Sequence, residues 1–279
     1  MSSSAKHSPQ TPALPGDNLS IKKMPNHWLQ AQLGKKVLRP GGLELTRQML
    51  TALDIQSKDH VVEFAPGLGL TAQMALNRNP ATYTAVEQDE TAAKLVRTYL
   101  NGPNQKCIVG TAENTGLPEK SATVIYGEAM LTLETQRSKM TILKEAYRLL
   151  KPGGRYAIHE LCLIPDELPD EKKREIQKNL AALIRGNTRP LTPSEWRELM
   201  EAVGFNAQIE KTAPMHLLEG KRFIQDEGLK GTLKFAGNLL RSREAMRRVW
   251  KIRGVFRKHR KNLAALVLVG VKHNNLEEK

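Results

Sequence analysis

Cysteine is close to absent from this chain: its 279 residues contain two, Cys107 and Cys162. They lie far apart in sequence and form no metal-ligand spacing, so no metal site is expected. So low a count fits a reducing compartment, and Cys107, inside an apolar stretch, reads as a small buried hydrophobe. Long hydrophobic runs are missing too. The longest, Leu263 to Val271, falls short of the ~20 residues that a membrane-spanning helix needs and reads as a buried strand. Residues 1–20 are rich in Ser and Pro and hold no apolar core of signal-peptide length. The expectation is a disordered tail over 1–24, then a single domain over 25–274, in a cytoplasmic protein. Acids are in deficit, 29 Asp+Glu against 43 Lys+Arg, which leaves a net charge of +14. No internal repeat is visible.

The most informative stretch is 61–72, Val-Val-Glu-Phe-Ala-Pro-Gly-Leu-Gly-Leu-Thr-Ala. An apolar strand, Val61 to Phe64, runs into a tight loop with glycines at 67 and 69, and an amphipathic helix follows. Glycine lets the backbone turn sharply and approach a ligand where a Cβ would intrude. Such a loop, at the end of a strand and the start of a helix, is where doubly wound α/β folds hold nucleotide-like ligands. About 20 residues on, Glu87 ends the next strand, Tyr83 to Val86. That spacing suits a carboxylate gripping ribose hydroxyls. At this point a nicotinamide or flavin enzyme and a methyltransferase are both open, since Gly67-Leu-Gly-Leu-Thr-Ala72 also satisfies the dinucleotide pattern.

What separates them lies downstream. Residues 106–118, Lys-Cys-Ile-Val-Gly-Thr-Ala-Glu-Asn-Thr-Gly-Leu-Pro, give a third strand and an Ala-Glu-Asn…Leu-Pro turn. Residues 122–126 give a fourth strand. Residues 149–159, Leu-Leu-Lys-Pro-Gly-Gly-Arg-Tyr-Ala-Ile-His, end a helix at Pro-Gly-Gly and start a fifth. This order and spacing resembles the class I S-adenosylmethionine-dependent methyltransferases, especially the small-molecule branch that includes the ubiquinone and menaquinone C-methyltransferases. The likeness covers roughly residues 40–213 and the last strand. It implies an α/β fold: a Rossmann-like seven-stranded sheet with an antiparallel last strand, helices on both faces, and helical cap insertions. The implied cofactor is S-adenosyl-L-methionine. The resemblance places Glu63 near the methionine moiety and matches Gly67 and Gly69 to the family's later glycines. It puts Glu87, with Gln88 beside it, on the ribose, and Ala112 and Glu113 beside the adenine. Tyr126, Gly127 and Glu128 match the segment facing methionine and substrate. Two positions depart from the pattern: Ala65 stands where the loop's first glycine is usual, and Thr111 where an acid is common.

Two insertions frame this core. Residues 164–190 are polar and helical and would cap the fifth strand. Leu191-Thr-Pro-Ser-Glu-Trp196 then starts a helix, with Thr192 as N-cap, Pro193 in the first turn and Glu195 three residues on. Residues 214–262 hold 14 Lys+Arg against 4 Asp+Glu, a net of +10. Within them Phe235, Leu239, Met246, Val249, Trp250 and Phe256 recur at roughly helical spacing. Arg241, Arg243, Arg247, Arg248, Lys251, Arg257 and Lys258 fall on the opposite face. The first reading packs the apolar side on the domain as a lid. The second lays 235–258 on an anionic membrane surface, and nucleic acid ranks below both.

An electrophilic methyl needs mainly a nucleophile held in line with it and water excluded. Where a base is required, the candidates are Glu128, His159 and Glu160, at the ends of strands four and five. Neighbours on a strand point to opposite faces, so one of the last two is expected to reach the site. The expected activity is methylation of a small apolar or aromatic acceptor. RNA-directed methylation and a non-catalytic cofactor-binding regulator are the alternatives.

Overall fold

The computed structural model describes residues 13–184, 187–215 and 220–273. Seven strands form one sheet: β1 (His60–Phe64), β2 (Thr82–Glu87), β3 (Gln105–Val109), β4 (Ala122–Glu128), β5 (Leu150–Leu163), β6 (Phe205–Pro214) and β7 (Leu263–Lys272). Their spatial order is β3-β2-β1-β4-β5-β7-β6. β1 to β5 run parallel, and β7 is antiparallel to both β5 and β6. The expected fold class is therefore the one observed, with the run Leu263–Val271 as the inserted antiparallel strand.

The central strands are apolar on both faces because helices cover both. Val62, Phe64, Ile125, Tyr156 and Leu266 face α5 (Gln136–Leu149) and α7 (Pro193–Glu201). Val61, Tyr83, Val124, Tyr126 and Val267 face α2 (Gly42–Leu53), α3 (Leu70–Leu76) and α4 (Glu90–Arg97). Local signals set the helix starts. Asp89 accepts from the N–H groups of Thr91 and Ala92 at the head of α4. Thr192 and Glu195 form the expected capping box of α7. Caps of this kind contribute about 1 kcal/mol each.

Three expectations need correction. The Pro152-Gly153-Gly154 segment does not end the helix. α5 stops at Leu149, β5 begins at Leu150, and the tripeptide lies inside the strand, where Gly153 has φ 75° and the β4–β5 register shifts. Of the expected tail, residues 1–12 lie outside the described residues. Residues 13–24 form hydrogen-bonded turns against α1 (Asn26–Gln32), because Met24 buries there with Trp28 and Leu29. The cap insertion holds α6 (Asp170–Ile184), and the basic insertion folds as α8 (Gly220–Leu240), broken at Gly228, and α9 (Arg243–Lys258). Its inward side carries Phe235 and Val249 as expected, and Leu239, Met246 and Phe256 are half-buried. The apolar face read from the sequence for 235–258 is thus turned into the protein. Trp250 departs from that face and stands 56% exposed under the Arg253 guanidinium, 5.3 Å from its ring centre.

Candidate active site

At the C-terminal ends of β1, β2 and β4 the sheet opens into a cavity of about 610 Å³, within the range typical of cofactor sites. The loop after β1 forms one wall. Ala65, Gly67 and Gly69 all take left-handed backbone angles, φ 51°, 58° and 72°. A side chain on Gly67 would have room, its nearest neighbour being the Trp28 ring edge at 4.0 Å, so its glycine answers to backbone angle. A Cβ on Gly69 would lie 2.8 Å from the Tyr99 ring, so this glycine serves packing as well.

Glu87 ties this loop to the next. One carboxylate oxygen accepts from the N–H of Gly67 at 3.0 Å and the other from that of Asp89 at 3.0 Å. Burial raises its pKa and the backbone donors partly offset that. Each oxygen keeps a further lone pair for a ligand hydroxyl. Gln88, Thr111, Ala112 and Glu113 line the cavity beyond it. α1 lies across the loop and adds Asn26, His27, Trp28 and Gln30 to the wall. Burial pushes the His27 imidazole down to about 4, so this ring is neutral near pH 7.

The floor is ionic. Glu63 is buried and accepts from the hydroxyls of Tyr83 and, at 2.7 Å, Tyr126. Burial outweighs those two donors and raises its carboxyl to about 7. Glu128 fares oppositely. Burial alone would raise its carboxyl, but Arg39 and the bonded His159 hold it down at about 2. Its Oε2 accepts from Arg39 and Thr71, and its Oε1 from Thr46 at 2.6 Å and the His159 ring at 2.7 Å. The other His159 nitrogen lies 2.5 Å from the Pro40 carbonyl. Glu160 receives four donors: the N–H groups of Met130, Leu131 and Thr132 and the Thr132 hydroxyl, at 2.6–3.1 Å. It thereby caps the 3-10 turn Leu131–Leu133.

Of the residues singled out in the sequence, Glu63, Ala65, Gly67, Glu87, Gln88, Thr111, Ala112, Glu113, Glu128 and Glu160 meet at this cavity. Gly69, Tyr126 and His159 do not line it. Tyr126 faces the α2–α4 side of the sheet and meets the site only through the hydrogen bond its hydroxyl donates to Glu63. His159 is fully buried beneath Glu128. Each expected catalytic group is already committed to partners inside the protein. Arg39, Thr46, Thr71, Asn26 and Gln30 carry no signal in the sequence that assigns them to the site.

A Methyltransferase domain family matches residues 62–158, from β1 to β5. An uncharacterized protein of Haemophilus influenzae is 30% identical over 231 residues, 81% of this chain and 90% of that one. The chain belongs to the class I S-adenosylmethionine-dependent methyltransferases. Among relatives of known activity, the phosphoethanolamine N-methyltransferase of Plasmodium falciparum is 21% identical over 182 residues, 64% of this methyltransferase and 65% of that protein. The Haemonchus contortus phosphoethanolamine N-methyltransferase 2, solved with phosphomonomethylethanolamine and S-adenosylhomocysteine, superposes with a TM-score of 0.66 at 14% identity. It covers 89% of this chain and 57% of that one, and so attests the fold.

The methyltransferase's cavity suits its cofactor. S-adenosylmethionine carries a cationic sulfonium and an ammonium, and the floor offers the buried carboxyl of Glu63, with Glu128 beside it already paired to Arg39. The side-chain oxygens of Asn26, Gln30 and Thr188 line the cavity, are at least nine-tenths buried, and have no hydrogen-bond partner among the described residues. Such orphaned acceptors inside a cavity are satisfied by a ligand's donors or by water.

Proposed function

We propose that this methyltransferase holds S-adenosylmethionine between the 65–69 loop and α1, with Glu87 on the ribose hydroxyls and Thr111, Ala112 and Glu113 around the adenine. In this reading Glu63 and the Arg39–Glu128 pair receive the methionine end. When bound, the cofactor supplies an electrophilic methyl group. The acceptor occupies the far end of the cavity, lined by Met130, Leu133, Leu161, Ile184, Met215 and Phe256. That lining is apolar, so we assign a small, largely apolar or aromatic acceptor.

The carrying observation is the saturation of the acids. Glu128 and Glu160 each accept four hydrogen bonds, and His159 is held at both nitrogens. No carboxylate lone pair among these groups is left to take a proton from the acceptor. The chain's contribution is then placement, charge complementarity and exclusion of water. The acceptor brings its own nucleophile, such as a neutral amine, a thiolate or a stabilised carbanion. A phosphorylated acceptor, of the kind named for the Plasmodium and Haemonchus proteins, fits less well. Among the described residues the lining cations are Lys36 and Arg39, and Arg39 is neutralised by Glu128.

Isothermal titration with S-adenosylhomocysteine, against NADH as control, tests the cofactor placement. Glu87→Ala is expected to weaken binding more than tenfold; near-normal affinity removes Glu87 from the ribose. An acceptor screen then tests the chemistry. At saturating cofactor the rate should follow the acceptor's own ionisation, and an additional enzyme pKa near neutrality that persists in Glu63→Gln would restore a general base.

A further inference from the structure

A second apolar surface lies outside the cavity. After the break at Gly228, the outer face of α8 carries Leu229, Leu233 and Leu240, which are 69, 72 and 73% exposed. Steps of four and seven residues put all three on one side of the helix. The inner side of the same helix is already occupied, with Phe235 buried against Phe223 and the α1 cluster. A helix apolar on both sides has one side that its own fold does not explain. On α9, the half-exposed Trp250 adds an aromatic to the same insertion.

The charges from Leu229 onward are nearly all of one sign. Residues 229–262 contain 12 Lys+Arg and one acid, Glu244. Lys230 and Lys234, both exposed, directly follow two of the leucines. No described helix is long and apolar enough to cross a membrane.

We propose that the outer face of α8, with Trp250, docks this enzyme onto an anionic lipid bilayer. The leucines and the indole enter the boundary between headgroups and acyl chains, and the cations meet headgroup phosphates. Two other occupants fit less well. Nucleic acid would engage the cations but leave three exposed leucines unrewarded. A second copy would press two strongly cationic surfaces together. The surface differs from the inward apolar face of 235–258, and the proposal stands apart from how the cavity binds its cofactor.

The test is flotation of the full chain with vesicles of phosphatidylcholine alone, and of phosphatidylcholine mixed with phosphatidylglycerol. Binding is expected on the mixed vesicles only, weakening as salt rises, with a blue shift of Trp250 emission. Replacing the leucines together (L229S, L233S and L240S) is expected to lower partitioning by about tenfold or more. Their exposure means that circular dichroism and S-adenosylhomocysteine affinity should stay unchanged. Lys230→Gln with Lys234→Gln should lower the affinity and flatten its salt dependence. Absence of binding to the mixed vesicles at low salt overturns the proposal. So does unchanged binding by the leucine variant, an RNA oligonucleotide bound with the leucines irrelevant, or a dimer that the leucine replacements dissolve.

Discussion

Glu63→Gln should make the cofactor-free protein more stable and its cofactor site worse. The Glu63 carboxyl sits at 3% exposure, and burial moves it from an ordinary value of 4.5 to about 7. An acid whose folded value is raised binds more protons folded than unfolded, so ionisation costs stability as pH rises from about 4.5 to about 7. At about 1.4 kcal/mol for each pH unit, the penalty above pH 7 is about 3 kcal/mol. Glutamine is neutral at every pH, and its carbonyl can still accept from Tyr83 and Tyr126. The variant should match the parent near pH 4.5 and exceed it by up to about 3 kcal/mol at pH 8, or ~5–10 °C in Tm for a chain of this size. Urea or thermal unfolding at both pH values, without ligand, measures this. Affinity should move the other way, because in the proposed placement the lost carboxylate faces the cationic end of the cofactor. In the parent, binding near pH 6 should release a proton, visible as a dependence of titration heat on the buffer's ionisation enthalpy; the variant should lose that dependence. A variant less stable than the parent at pH 8, or a stability difference equal at pH 5 and pH 8, would refute the reasoning.

Arg39→Met removes the closest counter-ion of Glu128 and should cost about 3 kcal/mol at pH 7. Glu128 has a depressed folded value, so the stability it confers is present above about pH 4.5 and lost as pH falls toward 2; unfolding at pH 4 should therefore show a smaller penalty, and an equal one would separate Arg39 from Glu128. Gly69→Ala combines φ 72° with a Cβ 2.8 Å from the Tyr99 ring and should cost about 2–4 kcal/mol. An unchanged Tm would remove the packing argument.

The sheet was legible because its strands are short apolar runs punctuated by glycine, and because burial on both faces erases alternation in β1, β4 and β7. The 65–69 loop and Glu87 were legible because their spacing lies within one strand–helix–strand unit. Ala65 shows what the pattern left unresolved: it adopts the same left-handed angle as the glycines, φ 51°, so the loop keeps its path with a methyl added. What escaped depends on distant pairing. Glu128 was read as a free acid because its partners, Arg39, Thr46, Thr71 and His159, are 31 to 89 residues away. Tyr126 was read as a lining residue because a strand's facing is settled by which helices cover it. The exposed leucines of α8 escaped because helical periodicity locates an apolar stripe and says nothing of a second one.

The same long-range pairing gives the basic insertion a task in the site, carried by its acids. Asp226 accepts from the N–H of Leu43 at 3.0 Å, and Glu227 accepts from those of Lys36 and Val37 at 2.8–3.0 Å. Glu227 also faces the buried Lys35 ammonium at 3.5 Å. α8 thus grips the segment 35–43, which delivers Arg39 to Glu128 and the Pro40 carbonyl to His159. Glu227 itself lies off the cavity wall. Glu227→Ala strands the Lys35 charge and two N–H groups, which should cost about 3 kcal/mol and weaken S-adenosylhomocysteine binding through Arg39. Glu227→Gln keeps acceptors for both N–H groups and lacks only the charge. It should restore most of the affinity while recovering part of the stability. If Glu227→Ala loses stability but binds the product normally, segment 35–43 holds its place without α8, and the insertion has no part in cofactor binding.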